Sequence, residues 1–119
     1  DVEVSGGLSP ADLSSALRVW LKKVAQGSDS TPIIYADPTF WRSNIVGDFS
    51  EYPFWIAEYG PEALVPDDWS RWTFWQHSQS GQVPGVSGPV DMDRFAGSEK
   101  DLEDLTGKKG LLSRFDRLL

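Results

Sequence analysis

The sequence predicts an α/β fold, and three observations lead there. One long segment has helical periodicity, several short apolar runs follow it, and turn-rich connections separate those runs. A length of 119 residues allows one domain with a single core.

Asp1-Val2-Glu3-Val4 alternates acidic and apolar residues with a period of two, as the end of a strand does. The chain therefore reads as a fragment or processed piece, and the absence of a leader pattern says nothing about export. Ser9 is a helix N-cap, Pro10 suits the first helical position, and Asp12 places an acid in the first turn. Leu13, Ala16, Leu17, Trp20, Leu21 and Val24 then fall on one helical stripe, predicted to be buried. Lys22 and Lys23 suit the negative end of the helix, and Gly27 is expected to stop it.

Thr31-Pro32-Ile33-Ile34-Tyr35-Ala36 reads as a short parallel strand covered on both sides, because it shows little alternation. Asp37-Pro38-Thr39-Phe40-Trp41 opens a short helix or turn. Phe54 to Tyr59 reads as a second strand, stopped by Gly60-Pro61, and Arg71 to Ser78 as a third. Ser80 to Gly88 is a turn-rich connection or hairpin, and Pro89 to Phe95 a fourth strand. Ser98-Glu99-Lys100-Asp101-Leu102 is a capped helix start, with an end near Gly107. Leu111, Leu112, Phe115, Leu118 and Leu119 make an amphipathic helix or the start of a linker. This order suggests a barrel-like or open α/β sheet. Four or five strands are too few for a closed eight-stranded barrel, which needs about 250 residues. A piece of one leaves unpaired edges.

Composition narrows the function. Eleven basic and 18 acidic residues leave a net charge of −7, against a basic nucleic-acid-binding face. No apolar run approaches the roughly 18 residues of a membrane span. With no Cys and one His, a disulfide frame, a thiolate metal site and a His-rich metal site are excluded. Aromatics reach 13%, and five of the six Trp lie between Trp41 and Trp75. They either pack a core or line a groove that stacks on sugar or another flat ligand.

Asp1 and Glu3 share one face of an extended segment, with Cα atoms roughly 6.6 Å apart. Two such acids on a buried face repel when both ionise, so one is expected to hold its proton near neutral pH, as a general acid must. Glycoside hydrolysis uses an acid pair of this kind, although solvated strand-end acids give the same pattern. Asp91 lies between Val90 and Met92, and its simplest role is to cap the following loop. His77 lacks a Ser or Cys nucleophile pattern and reads as a strand-end His hydrogen-bonded to its neighbours. Gln76 points away from Trp75 and suits hydrogen bonding to a polar ligand or to backbone. Ser5-Gly6-Gly7 lacks phosphate-loop spacing.

The ordered set Asp1-Val2-Glu3, Pro32-Ile33-Ile34-Tyr35, Phe40-Trp41, Phe54 to Tyr59, Trp69 with Trp72, Phe74 to Ser78 and Gly85 to Ser98 resembles the second half of glycoside hydrolase family 25, the N-acetylmuramidase lysozymes. The resemblance runs over about residues 1 to 105. It implies a fragment of an irregular (β/α)5β3 TIM-like barrel, with 1–105 as the C-terminal part of the catalytic barrel and 106–119 as a C-terminal helix or linker. It implies hydrolysis of the β-1,4 bond between N-acetylmuramic acid and N-acetylglucosamine in peptidoglycan, outside the cell or at its wall. Glu3 maps onto the proton donor, Asp1 onto the other acid of the motif, and Asp91 onto the late-strand active-site Asp. Tyr35, Tyr59 and Gln76 map onto strand ends lining the groove as substrate contacts. Trp55 and Trp75 are expected in the core, on the side opposite Ile56 and Gln76.

The resemblance implies no metal or organic cofactor. It implies peptidoglycan glycan strands as the partner of a monomer, with no nucleic acid and no membrane. The family's first strands and their Asp have no counterpart here, so the isolated fragment is expected to be inactive and poorly stable. Asp93 stands where many relatives carry Asn. A non-catalytic glycan-binding module, or a protein-interaction domain with exposed Trp patches, would share the aromatic content.

Overall fold

The computed structural model describes residues 1–107. The amphipathic pattern predicted over Leu111 to Leu119 lies outside them. The described elements are α1 (Pro10–Ser28), β1 (Ile34–Ala36), α2 (Pro38–Asn44), β2 (Phe54–Ala57), β3 (Phe74–Gly81), β4 (Val90–Phe95) and α3 (Glu99–Leu105). The strands form one open sheet in the order β1-β2-β3-β4. β1, β2 and β3 are parallel, and β4 returns antiparallel to β3 through the predicted hairpin. The α/β class is as expected.

Residues 1–4 are extended but form no strand. One backbone bond, from Val2 N to Tyr35 O at 2.9 Å, lays them beside β1. In α1 the Ser9 side chain accepts from Asp12 N at 3.2 Å, as the N-cap pattern requires. The helix runs through Gly27 and ends at Asp29, whose φ of 52° breaks the repeat. Lys22 and Lys23 consequently fall short of the last turn, which holds no basic residue.

The predicted stripe is only half covered. Leu21 is fully buried, and Leu13 and Leu17 pack against the core, while Ala16 is exposed and Trp20 stays 55% exposed. Ser14 is buried instead. Its hydroxyl donates to Pro10 O at 2.6 Å and accepts from Val46 N at 2.9 Å, which ties α1 to the segment after α2.

The core lies between the helices and one face of the sheet. Leu21, Ile34, Ala36, Trp41, Phe49, Phe54, Ile56 and Trp69 form it. Trp41 meets Phe49 edge-on at 5.3 Å, and Trp69 stacks on Phe54 at 4.0 Å. Each of these large indoles brings a donor that must be satisfied. Asp68 accepts from Trp41 Nε1 at 3.0 Å and from Phe49 N at 2.9 Å, while Trp69 Nε1 donates to Tyr52 O at 2.8 Å.

Trp75 joins this side, beside Trp72, and its Nε1 donates to Glu58 O at 2.7 Å. Trp55 does not, contrary to the sequence expectation. The register pairs Ala57, not Ile56, with Gln76, so Ile56 and Gln76 point to opposite faces. Trp55 therefore shares the second face of the sheet with Tyr35 and Phe74, stacking on Phe74 at 4.6 Å. β1 is correspondingly buried at Ile34 and Ala36 but only partly at Tyr35 between them, rather than covered on both faces.

The caps of α2 and α3 follow the sequence. Asp37 accepts from Phe40 N at 2.8 Å, and Ser98 and Asp101 complete a reciprocal capping box. Hydrogen bonds from the Ser98 backbone and hydroxyl hold Asp101 below the ordinary carboxylate range.

Two outcomes are expected. Asp68→Ala should cost about 3 kcal/mol in urea unfolding, because it strands an indole N–H and a backbone N–H. The Asp101 cap should favour α3 above the unfolded carboxylate pKa, about 3.9. Its contribution should fade only as pH falls through the lowered folded value, so α3 amide exchange should accelerate below the ordinary range and not at pH 5.

Candidate active site

The second face of the sheet carries the candidate site, and Gln76 is its centre. This residue near the start of β3 is 7% exposed. A carboxamide buried to that degree needs partners on both ends. Tyr35 from β1 and Tyr59 from just beyond β2 both donate to Gln76 Oε1, at 2.6 and 2.8 Å. Gln76 Nε2 donates to Asp91 Oδ2 at 3.0 Å. The partners fix the amide's orientation: two hydroxyl donors face its oxygen and a carboxylate faces its nitrogen.

The topology explains why these residues meet. Parallel β1 and β2 deliver Tyr35 and Tyr59 toward the same end of the sheet. β4 runs the other way, so its beginning lies beside the far end of β3. Asp93 stands directly opposite Gln76, and Asp91, two residues earlier on β4, shares that face and reaches Gln76 diagonally; a register shift just beyond leaves His77 as an extra residue. The Asp91 carboxylate thus engages the sheet face rather than capping the following loop.

Tyr59 sits on a loop that is tied down. Glu58 N donates to Gln76 O at 3.1 Å, and the Glu58 carboxylate accepts from Leu64 N at 2.7 Å. Arg42 Nη2 donates to Leu64 O at 2.7 Å, bracing the loop from α2.

Glu3 enters from the N-terminal segment, whose backbone bond to Tyr35 places it beside β1. It is exposed, and its charge reaches both phenols. Burial, followed by Tyr59, Glu3 and Asp91, pushes the Tyr35 phenol up to about 12. Burial and the Asp91 charge raise Tyr59 as well. Both phenols therefore remain neutral hydrogen-bond donors across any physiological pH.

Hydrogen bonds bring Tyr35, Tyr59, Gln76 and Asp91 together, and Glu3 lies near enough for its charge to act on both phenols. Asp1 is not joined to them by any of these contacts. It is exposed and lines an apolar cavity of about 270 Å³ between the N-terminal segment and α1. His77 faces away, edge-on to Trp75 at 5.8 Å, and makes a ring contact in place of the expected hydrogen bonds.

Sequence reasoning missed the role of Asp93 and the placement of Trp55. Asp93 Oδ1 accepts from Trp55 Nε1 at 2.7 Å on the site's face. The signal was available, since Asp91 and Asp93 have the same two-residue spacing as Asp1 and Glu3. Among the described residues no group of three His, Cys, Asp or Glu side chains is arranged to hold a metal ion. No described helix is long and apolar enough to cross a membrane. The arrangement offers neutral O–H donors, a fixed amide and a carboxylate on one face of the sheet, a set suited to a polar, uncharged ligand such as a sugar.

Residues 1–86 match the family described as Glycosyl hydrolases family 25. The Escherichia coli (strain K12) protein YegX is 43% identical over 103 residues, covering 87% of this chain and 38% of YegX. Lysozyme M1 of Streptomyces globisporus is 32% identical over 102 residues, covering 79% of this chain and 35% of that protein. The crystal structure of the bacterial lysozyme from Streptomyces coelicolor superposes with a TM-score of 0.80 at 32% identity, covering 88% of this chain and 53% of that one. The matches thus span under two fifths of these two relatives and about half of the solved lysozyme chain.

Difference titration at 295 nm between the chain and Tyr35→Phe should show the Tyr35 phenol ionising near 12, well above the free value of 10.0. Gln76→Glu should set a second carboxyl against Asp91 and raise one pKa of the pair. The folded state then holds a proton that the unfolded chain has released, so thermal stability should fall as pH rises from the unfolded carboxylate pKa, about 4, through the raised folded one.

Proposed function

Because this chain belongs to glycosyl hydrolases family 25, we propose that it is part of a peptidoglycan hydrolase that cleaves the β-1,4 bond between N-acetylmuramic acid and N-acetylglucosamine. The similarity to a protein named Lysozyme M1 supports that reading at the level of the family. The observation that carries it is the Gln76-centred cluster, in which Asp91 and two neutral phenols are hydrogen-bonded to one amide and the charge of Glu3 acts on both phenols.

In this reading Glu3 is the general acid. Its carboxyl gives a proton to the glycosidic oxygen as the bond to the sugar carbon breaks. Asp91 faces the positive charge that develops on the sugar ring, held in place by the Gln76 amide. Asp1, on the same extended segment as Glu3, assists the substrate's N-acetyl group or that same charge. Tyr35, Tyr59 and Gln76 contact the sugar, the phenols exchanging their bonds to Gln76 for bonds to the glycan. Neutral phenols suit this role, since they add no further negative charge beside the carboxylates.

Residues 1–105 then act as one portion of the catalytic domain, with 106–119 following it. The enzyme works as a monomer outside the cell or at its wall, on glycan strands and without a cofactor. The 119-residue chain alone is inactive, since it corresponds to only 38% of YegX and 53% of the solved lysozyme chain.

Joined to the rest of a family 25 domain, the chain should release reducing sugar from purified peptidoglycan, and alone it should release none. Glu3→Gln in the joined protein should lower turnover by about 100- to 10,000-fold. Binding of a short glycan should be unchanged. Lysis by the chain alone, or full turnover in Glu3→Gln, overturns the assignment. Glycan binding with no turnover in the joined protein identifies a binding module instead.

A further inference from the structure

Two residues back from Gln76 along β3, the same face of the sheet carries a row of rings. Tyr35 stands opposite Trp55, Trp55 opposite Phe74, and Phe74 opposite Phe95, so each strand supplies one ring in register. Trp55 stacks on Phe74 at 4.6 Å with 28° between the planes, and Phe74 meets Phe95 at 5.0 Å. Tyr35 meets the indole nearly at right angles, at 6.1 Å and 79°.

Stacking alone lets an indole slide and turn in its own plane, and one hydrogen bond removes that freedom. Trp55 Nε1 donates to Asp93 Oδ1 at 2.7 Å, a short bond to a carboxylate. It crosses β3, because Trp55 lies on β2 and Asp93 on β4. Asp91, two residues before Asp93 on the same face, accepts from one end of the Gln76 amide at 3.0 Å. Tyr35 donates to the other end at 2.6 Å. The contacts therefore close a circuit from Asp93 through Trp55, Tyr35, Gln76 and Asp91, and back along β4. Tyr35 is held twice, its hydroxyl by the amide and its ring by the indole.

We infer that Asp93 is a positioning residue: by fixing the plane of Trp55 across Phe74, it seats the Tyr35 ring and so holds the Tyr35 hydroxyl on the Gln76 amide. It needs no contact with a ligand to do this. Direct action by charge is a different device, and the two are separable. The charge of Asp93 joins burial and Asp91 in raising the Tyr59 phenol, whereas burial, Tyr59, Glu3 and Asp91 raise that of Tyr35. An amide at position 93 removes the charge yet still accepts from the indole. The consequence for a glycan rests on the reading of Tyr35 as a substrate contact, while the seat itself is measured without turnover.

The test compares Asp93→Ala, Asp93→Asn and Trp55→Phe in the 119-residue chain. Hydrogen exchange of the Trp55 indole N–H reads the bond. Titration at 295 nm, differenced against Tyr35→Phe, reads the seat of the phenol. Asp93→Ala should speed the indole exchange by at least about 10-fold. It should also bring the Tyr35 midpoint down from near 12 toward the free value of 10.0. Asp93→Asn should leave both close to the parent. Trp55→Phe keeps a ring on Phe74 but has no N–H, so it should lower the Tyr35 midpoint as well, and it reads the same tie if the alanine variant does not fold. The double variant should lower it no further than either single one. In the joined protein, Asp93→Ala should weaken glycan binding about 10-fold, as loss of one hydrogen bond does, and Asp93→Asn no more than about twofold.

A Tyr35 midpoint that stays near 12 in Asp93→Ala or in Trp55→Phe overturns the inference. Equal falls in Asp93→Ala and Asp93→Asn overturn it in favour of direct charge. A further fall in the double variant overturns the route through Trp55. If the titrations behave as expected but the joined protein neither binds glycan nor cleaves peptidoglycan, the seat stands and the catalytic reading falls, so the two fail separately.

Discussion

Gln76 buries a carboxamide on the sheet face, and a buried amide must satisfy an acceptor and a donor at once. Its oxygen draws in Tyr35 from β1 and Tyr59 from beyond β2, and its nitrogen holds Asp91 from β4. One side chain therefore ties three strands together at the end where parallel strands place ligands. A carboxylate at this position would repel Asp91, and an apolar group would strand three polar partners. The amide also separates the two kinds of chemistry. The phenols on one side remain neutral donors, while the acid on the other accepts from the amide nitrogen.

The helix-facing side obeys a different constraint. Six indoles in so short a chain bring six N–H groups, and burying the rings requires partners for those donors. Asp68 serves Trp41, Tyr52 O serves Trp69, and Glu58 O serves Trp75. These bonds pin the loops around β2 and β3, including the loop that presents Tyr59. Packing on one face thus positions the site on the other. Two indoles lie elsewhere: Trp20 stays 55% exposed on α1, and the ring of Trp55 lies on the site's face, where its N–H reaches Asp93.

Local signals were legible wherever neighbouring residues make the structure. The caps at Ser9, Asp37 and Ser98 depend on a side chain reaching an N–H three residues ahead, which spacing reveals. The existence of the four strands and the hairpin into β4 follow from short runs and turn residues, while the parallel order of β1 to β3 comes from the pairing itself. Strand bounds were less accurate. β1 begins at Ile34 rather than Thr31, and β3 runs through Gly81, because partner length decides where pairing stops. The end of α1 was misplaced by assigning to Gly27 a stop that the backbone of Asp29 makes.

By itself the sequence determined the α/β class, the caps, the acidic character and the ordered motifs that indicate the family. It also identified Glu3, Asp91, Tyr35, Tyr59 and Gln76 as residues of interest. The tertiary structure decided which of them touch. Register is invisible in a single strand, and a shift of one residue reverses every face, which is why Trp55 was assigned to the wrong side. The pairing of Asp93 with Gln76 that sets Asp91 beside it, and the half-covered stripe of α1, likewise depend on what lies across from each element rather than on what lies next to it in the chain.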